Sequence, residues 1–513
     1  MKRRKFMQNL GATAGATAIP FLSAGAVNKS NTGVFTQPSY RSDVMLKIGK
    51  PIRVVPVLVY TLLERKEADS WREWGGLHTR EDVTDEIARV NKELKALSAR
   101  SDFPMEISPL MEVNTDEKAE KAAQAEGDVI LIYAAGTAGK KMYNSNRLNL
   151  LTNAGKPVVM FLRKNSGPVY LWYEIVHPRL LRNASDEYTH QNLHIDDIVV
   201  DDYDEVLWRL RALFGLHNIK QTTIVSINGT GAWGSDPDEV QEIVRSKWNL
   251  NVKVVSLDET DKRLDVKYND AAYMKKARQA AAQYLSQDGI LSVNTDKEYI
   301  DRAFVMQDVF NDLMQEHNAQ GITVRGCMSI GKIAQTTACL PFSLVNDSGL
   351  MAFCESDFVV IPSGILLRYI SGKPAFLNDP CFPHDGVTTC AHCSAPRMMN
   401  GHKAEPTHIY THCESDYGAA PKVQFAKDQV ITNLIPDFGS KKWVGFRGKI
   451  IDHPFYAICR SQFDCTIEGN WKRLLEDMRG FHWMTCYGDY LREIKYVTRK
   501  VGIDFENISE VNA

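Results

Sequence analysis

From residue 51 onward the chain alternates between two hydrophobic patterns. Short β-rich runs at 53–60, 129–133, 157–162 and 197–200 are separated by longer stretches of helical spacing such as 85–97 and 203–214. That alternation predicts a parallel sheet flanked by helices. A second series opens at 222–227, passes through a helix beginning near Ser235-Asp236-Pro237, and returns as a strand at 252–256. In this helix Val240, Ile243, Val244 and Trp248 share one face, and Pro237 sits in the first turn, which tolerates a missing donor. Helical patterns follow at 269–286 and 296–316, then a strand at 322–325. Beyond residue 400 short segments at 407–412, 423–425, 429–434, 443–451 and 463–467 are punctuated by Gly, Pro, Asp and Asn, which predicts an antiparallel sheet or small barrel. A last helix carries Leu491, Ile494, Val497 and Val501 and stops at Gly502. The expected fold is α/β: two serial Rossmann-like parallel-sheet domains, 51–218 and 219–354, then a mainly antiparallel, barrel-like domain, 355–513, ending in a helix.

Composition changes this picture at the ends of the chain. The N-terminus places Arg3 and Arg4 before a weakly apolar run that finishes at Ala24-Gly25-Ala26, the pattern of a cleavable twin-arginine export signal over 1–26. Residues 27–50 are polar and without period, and read as a linker. No later run approaches the ~20 apolar residues of a spanning helix, so a soluble, periplasmic or otherwise exported protein is expected. A formal net charge of -2, with no basic stripe, argues against nucleic acid as partner. All 10 cysteines lie between Cys327 and Cys486, which marks the last third as a distinct unit. An oxidising destination permits disulfides, but spacing does not choose their pairing.

Three motifs are weak. Gly229-Thr230-Gly231-Ala232-Trp233-Gly234 lies between a predicted strand and helix, the context of a dinucleotide fingerprint. Asp236, Asp238 and Glu239 then crowd the helix start, where a pyrophosphate needs the positive dipole end, so the stretch reads as an acid-capped turn, with nucleotide binding the alternative. Residues 135–141 lack the spacing and hydroxyl of a phosphate loop. Cys390-Ala391-His392-Cys393 offers half of a zinc site with no second pair to complete it.

The stronger constellation is acidic. Glu355 directly follows an apolar run, as does Asp379, so each delivers a carboxylate to the end of a buried element and the two are expected to converge. Among the 13 histidines, His384, His392, His402, His408, His412, His453 and His482 lie in this last third. One or two of them would complete an oxygen-and-imidazole site suited to a divalent ion such as Mn2+. Each residue also has a structural reading: carboxylates after strands cap helices or pair with cations, and single histidines are often satisfied polar groups.

The blocks that carry these residues are Cys339, Asn346-Asp347-x-Gly349, Cys354-Glu355-x-Asp357, Gly372-Lys373-Pro374-x-Phe376, Asp379, His392-Cys393 and Phe481-His482-Trp483-Met484-Thr485-Cys486-Tyr487-Gly488-Asp489. Together they resemble the C-terminal half of L-fucose and L-arabinose isomerases; the first half of the chain matches only in its serial β/α layout. The resemblance implies a metal-dependent aldose–ketose isomerase acting on a deoxy-sugar or pentose through an enediol. It implies a divalent cation, Mn2+, held by Glu355, Asp379 and His482, with both carboxylates doubling as acid/base groups. Asp347, Asp357, Arg325 and His392 become candidates for sugar contact or for support of the ligands, His392 matching the second histidine of the arabinose branch. Trp233 and Trp483 could stack on a sugar face, though the core suits both better. The partners expected are a small-molecule sugar and further copies of the chain, as a trimer or hexamer.

Other readings stay open. An epimerase or a keto-sugar lyase would use the same metal-enediol chemistry. Serial β/α domains also build exported sugar-binding proteins without turnover, and the turn at Gly229 leaves a nicotinamide oxidoreductase as a third class.

Overall fold

The computed structural model describes residues 49–69, 71–72, 74–136, 146–171, 193–476 and 478–510. The expected signal segment, nearly all of the linker and most of 135–141 lie outside them. No helix of the described residues is long and apolar enough to cross a membrane.

The first sheet contains β1 (Ile52–Val59), β2 (Met105–Ile107), β3 (Met111–Val113), β4 (Val129–Ala134), β5 (Val158–Leu162) and β6 (Ile198–Val200). Every pairing is parallel, in the order β2-β1-β4-β5-β6, with β3 also on β1. Strands β4 and β5 are buried throughout and β1 almost so, as a sheet covered on both faces requires. The helix Arg80–Arg100 opens with a reciprocal cap: Thr79 Oγ1 accepts from Asp82 N while the Asp82 carboxylate accepts from Thr79 N. Such a cap contributes about 1 kcal/mol.

The second sheet is also parallel. Its strands are β7 (Thr223–Ile227), β8 (Asn251–Val255), β10 (Gly321–Val324) and β11 (Met351–Phe353), in the order β11-β10-β7-β8; β9 (Ile290–Asn294) leaves to join another sheet. The helix Pro237–Trp248 forms as its period predicts, burying Val240, Val244 and Trp248, and Trp248 stacks on Trp443 at 5.4 Å between ring centroids.

The third region holds β12 (Phe376–Pro380), β13 (Val387–His392), β14 (Thr407–Tyr410), β15 (Ala420–Val423), β16 (Val430–Pro436), β17 (Lys442–Asp452), β18 (Ser461–Thr466), β19 (Trp483–Tyr487) and β20 (Asp504–Asn507). Six of them form an antiparallel barrel in the order β16-β19-β12-β13-β18-β17, closed by β17 pairing back onto β16. Its filling includes Phe376, Phe425 and Phe463 in mutual ring contact. Strand β20 extends β17 in parallel, while β14 pairs antiparallel with β15 and parallel with β9.

The three regions share cores. The helix Tyr203–Ile219 packs against both Ile361–Ser371 and the terminal helix Leu491–Lys500. Close approach to the first depends on Gly215, where a Cβ would stand 2.6 Å from Ile370 Cγ1. At the second, buried Asp197 accepts from the Tyr496 hydroxyl at 2.6 Å and from Lys500 Nζ at 2.7 Å.

Candidate metal centre

Ligands of open parallel sheets gather where the strands end, at their C-terminal edge. Here β11 ends at Phe353 and the chain passes through Cys354 into Glu355 and Ser356, which both adopt left-handed backbone, φ 65° and 52°. For non-glycine residues this costs about 1–3 kcal/mol each and persists only when neighbours enforce it. The neighbours are specific. Ser356 N donates to Thr323 Oγ1 at 3.0 Å, its hydroxyl lies 2.9 Å from that of Ser226, and its carbonyl accepts from Gly231 N at 3.0 Å. Phe358 N donates back to the Gly231 carbonyl at 3.2 Å. A Cβ at Gly231 would sit 3.1 Å from Ser356 O and 3.2 Å from Glu355 O, so glycine lets the two backbones meet. The glycine-rich turn therefore braces the Glu355 segment. Asp236 fills the following helix terminus, accepting from the amides of Asp238 and Glu239, in keeping with an acid-capped turn.

Barrel register supplies the other donors. Asn378 pairs with Trp483 across β12 and β19, so the next residues outward, Asp379 and His482, stand opposite each other. On the other side Asp379 pairs with Ala391, and His392 ends β13. Three residues distant in sequence thus meet at one barrel end, facing the end of β11. His482 Nε2 lies 3.3 Å from Asp379 Oδ1 and 3.6 Å from Glu355 Oε2, and His392 Nε2 lies 3.9 Å from Glu355 Oε1. His482 Nδ1 donates to Asp357 Oδ2 at 2.8 Å, both residues being 1% exposed. That carboxylate fixes the ring and turns Nε2 toward Glu355 and Asp379, the usual support of a metal-binding histidine.

The electrostatics are unbalanced. Burial pushes the Asp379 carboxyl up to about 6. Burial also opposes charge on His482, but Asp357, Asp379 and Glu355 outweigh it and hold the imidazole above its usual range. His392 is lowered by burial, and its Nδ1 is 2.9 Å from Ser394 Oγ. Asp379 Oδ1 and His482 Nε2 are buried with no hydrogen-bond partner. An orphaned buried polar atom costs about 1–3 kcal/mol; at 3.3 Å from each other, these two are satisfied either by the proton of a charged His482 or by a cation held between them. Donor atoms of Asp379, His392 and His482 lie within 4.8 Å of one another, as do those of Cys354, Glu355 and His392. These sets can hold a divalent cation.

The remaining candidates are distributed differently. Asp347 is buried at the end of the helix Cys339–Asp347, where Oδ1 accepts from the amides of Arg397 and Met398 at 2.7 and 2.8 Å; burial pushes it up to about 6. It is not in either donor set. Arg325 is exposed just past β10, with its guanidinium beside Gly229. Trp483 is fully buried in edge contact with Phe446, whereas Trp233 is 44% exposed and lies parallel to Phe481 at 4.6 Å, both rings meeting His482 edge-on. Of the other histidines, His408 contacts Ser292 and Gln424, and His412 contacts Ser415. The Cys-x-x-Cys pair diverges: Cys390 meets Cys465 in the barrel, while Cys393 meets Cys339 and Cys459. All ten cysteines are free thiols. Sequence reasoning missed Cys354, Thr323, Ser226 and Phe481 as neighbours of the centre; only the glycine-rich turn signalled Gly231.

No family model and no curated protein matches the chain. Among solved structures, a crystal structure from Mycobacterium smegmatis is similar at 13% identity over 63% of this chain and 87% of that one. Its TM-score is 0.11, a value at which the likeness carries no argument.

Proposed function

We propose that the chain is a divalent-metal-dependent aldose–ketose isomerase acting on a deoxy-sugar or pentose through an enediol. The observation that carries this reading is the pair of orphaned buried atoms, Asp379 Oδ1 and His482 Nε2, facing each other at 3.3 Å with Glu355 beside them. Isomerisation moves one proton between adjacent carbons and another between their oxygens. A cation such as Mn2+, held by Glu355, Asp379 and His482 with His392 in reach, supplies Lewis-acid stabilisation of charge developing on the sugar oxygens. Glu355 serves as the base that takes and returns the carbon-bound proton. Asp379 is the second acid/base group, placed beside His482 to exchange a proton with a sugar oxygen. Asp357 keeps His482 oriented, and the strained Glu355 backbone, held by Ser226, Thr323 and Gly231, limits wandering of the base. Export through the signal at 1–26 and assembly as a trimer or hexamer belong to the same proposal.

The test is metal analysis of the purified chain, followed by deuterium incorporation from heavy water into a panel of deoxy-sugars and pentoses. Bound divalent metal with exchange at the carbon next to the carbonyl, and interconversion of aldose and ketose, is the expected result. Exchange yielding stereoisomers or elimination products would assign an epimerase or lyase instead. Sugar binding without metal or exchange would leave a receptor.

A further inference from the structure

The two donor sets around His392 differ in chemistry. One, with Asp379 and His482, offers oxygen and nitrogen only; the other, with Cys354 and Glu355, includes a thiol. Glu355 faces both, since Oε1 is 3.9 Å from His392 Nε2 while Oε2 is 3.6 Å from His482 Nε2. A carboxylate that presents each oxygen to a different imidazole has the disposition of a bridge between two ions, and paired ions in such centres sit about 3.5–4 Å apart. Cys354 is buried, and its thiol is in hydrogen-bond contact with that of Cys327, half-buried at the first position of the helix Cys327–Ala334. Nδ1 of His392 is engaged by Ser394, which leaves Nε2 to face inward.

We propose that Cys354, Glu355 and His392 form a second cation site of zinc type beside the Asp379–His482 position, bridged to it by Glu355. One thiolate, one imidazole and one carboxylate, with the fourth position left to solvent, match the ligand chemistry of zinc, whereas manganese prefers the harder oxygen donors next door. Loading releases one proton to solvent from the Cys354 thiol as its sulfur–metal bond forms. The neighbouring thiols are a poorer alternative: Cys393 contacts Cys339 and Cys459, but these three do not form a mutually close donor set. The inference goes beyond the isomerase reading and stands without it.

The experiment is a Co2+ titration of the reduced, metal-depleted full chain, followed by absorption spectroscopy and bound-metal content. Two equivalents are expected, one of them bringing an intense thiolate-to-cobalt charge-transfer band in the near ultraviolet. Cys354→Ser loses the band and one equivalent while keeping the other; Cys393→Ser keeps both. A wild-type measurement guards against a variant that fails to fold: Zn2+ added to the Co2+-loaded chain should abolish the band by displacing cobalt from the thiol-containing site. One equivalent without the band, a band that survives Cys354→Ser, or a band that Zn2+ does not displace overturns the proposal. Zero equivalents would remove both metal readings, whereas two equivalents with the band and no sugar exchange would remove only the isomerase.

Discussion

The two parallel sheets end in charged clusters that are built on opposite principles. Past β5 of the first sheet, Arg163 is fully buried, yet its Nε lies 2.6 Å from Glu86 and its Nη2 2.5 Å from Glu93, with the Tyr170 hydroxyl and Ser166 taking its other contacts. Past β11 of the second sheet stand Glu355 and Asp357, met there by Asp379 from β12 of the barrel, and among the described residues their only cationic partners are histidines. The first cluster carries its own counterion and braces the fold. The second has no lysine or arginine counterion, which is where the proposed cation would enter. On the same type of scaffold, then, completeness of pairing separates a brace from a binding site better than burial does.

Variants can break that comparison. The largest effect should come from Glu355→Gln, which removes the charge that faces both imidazoles: turnover and deuterium exchange should fall by about 10⁴-fold with the far-ultraviolet circular dichroism unchanged. Near-normal activity would show that Glu355 is not the base. Arg163→Met should cost about 3 kcal/mol of stability by removing the buried counterion of Glu86 and the partner of half-buried Glu93, read as a lower urea midpoint, with metal affinity unchanged. Loss of metal binding there would mean that the clusters are coupled rather than contrasting. Asp357→Asn should weaken metal binding by about 10–100-fold, measured by calorimetry, since only the orientation of His482 suffers.

Acidity sharpens the contrast further. A proton competes with the cation at Asp379, raised to about 6, and at His482, raised as well. Cation affinity should therefore begin to fall while the pH is still above the ordinary imidazole value of 6.5, as His482 takes a proton, and fall more steeply below about 6, where Asp379 adds a second, by roughly tenfold per pH unit for each group that must lose a proton. At an aspartate with its ordinary value of 3.8 a proton would compete with the cation only some two pH units lower. The mildest change is Gly231→Ala, which must push back the carbonyls of Glu355 and Ser356; about a threefold loss in kcat/KM is expected from the displaced base.

Much of the architecture was legible because it is written in short-range pattern. Pro237 behind Asp236, the face formed by Val240, Val244 and Trp248, and the period of Leu491, Ile494 and Val497 each specify a helix locally. The convergence of Glu355, Asp379 and His482 was legible from residue type, each carboxylate directly following an apolar run. What stayed hidden depends on distant partners. The helix Leu257–Tyr268 is polar nearly throughout and buries only Thr260 and Leu264, and β9 is largely exposed along its length, so neither shows a clear period. Strand β19 is buried on both faces and shows no alternation. The contact of Asp357 with His482 and the inclusion of Cys354 follow from a left-handed bend at Glu355 and Ser356, which no pattern of apolar positions announces.

The union of β9 with β14 bears on how this polypeptide can be handled. Ile290–Asn294 precedes the composition change by dozens of residues, yet it completes a ribbon whose other two members arrive after residue 400. Severing the chain near 354 to express the cysteine-rich portion alone would strip β14 of one neighbour and bare its main-chain amides and carbonyls to solvent. Such an unpaired border invites edge-to-edge aggregation. Fragments cut there should come out as inclusion bodies, while tags or insertions are better tolerated at the surface turn around Asp385-Gly386, where the backbone already doubles back between β12 and β13.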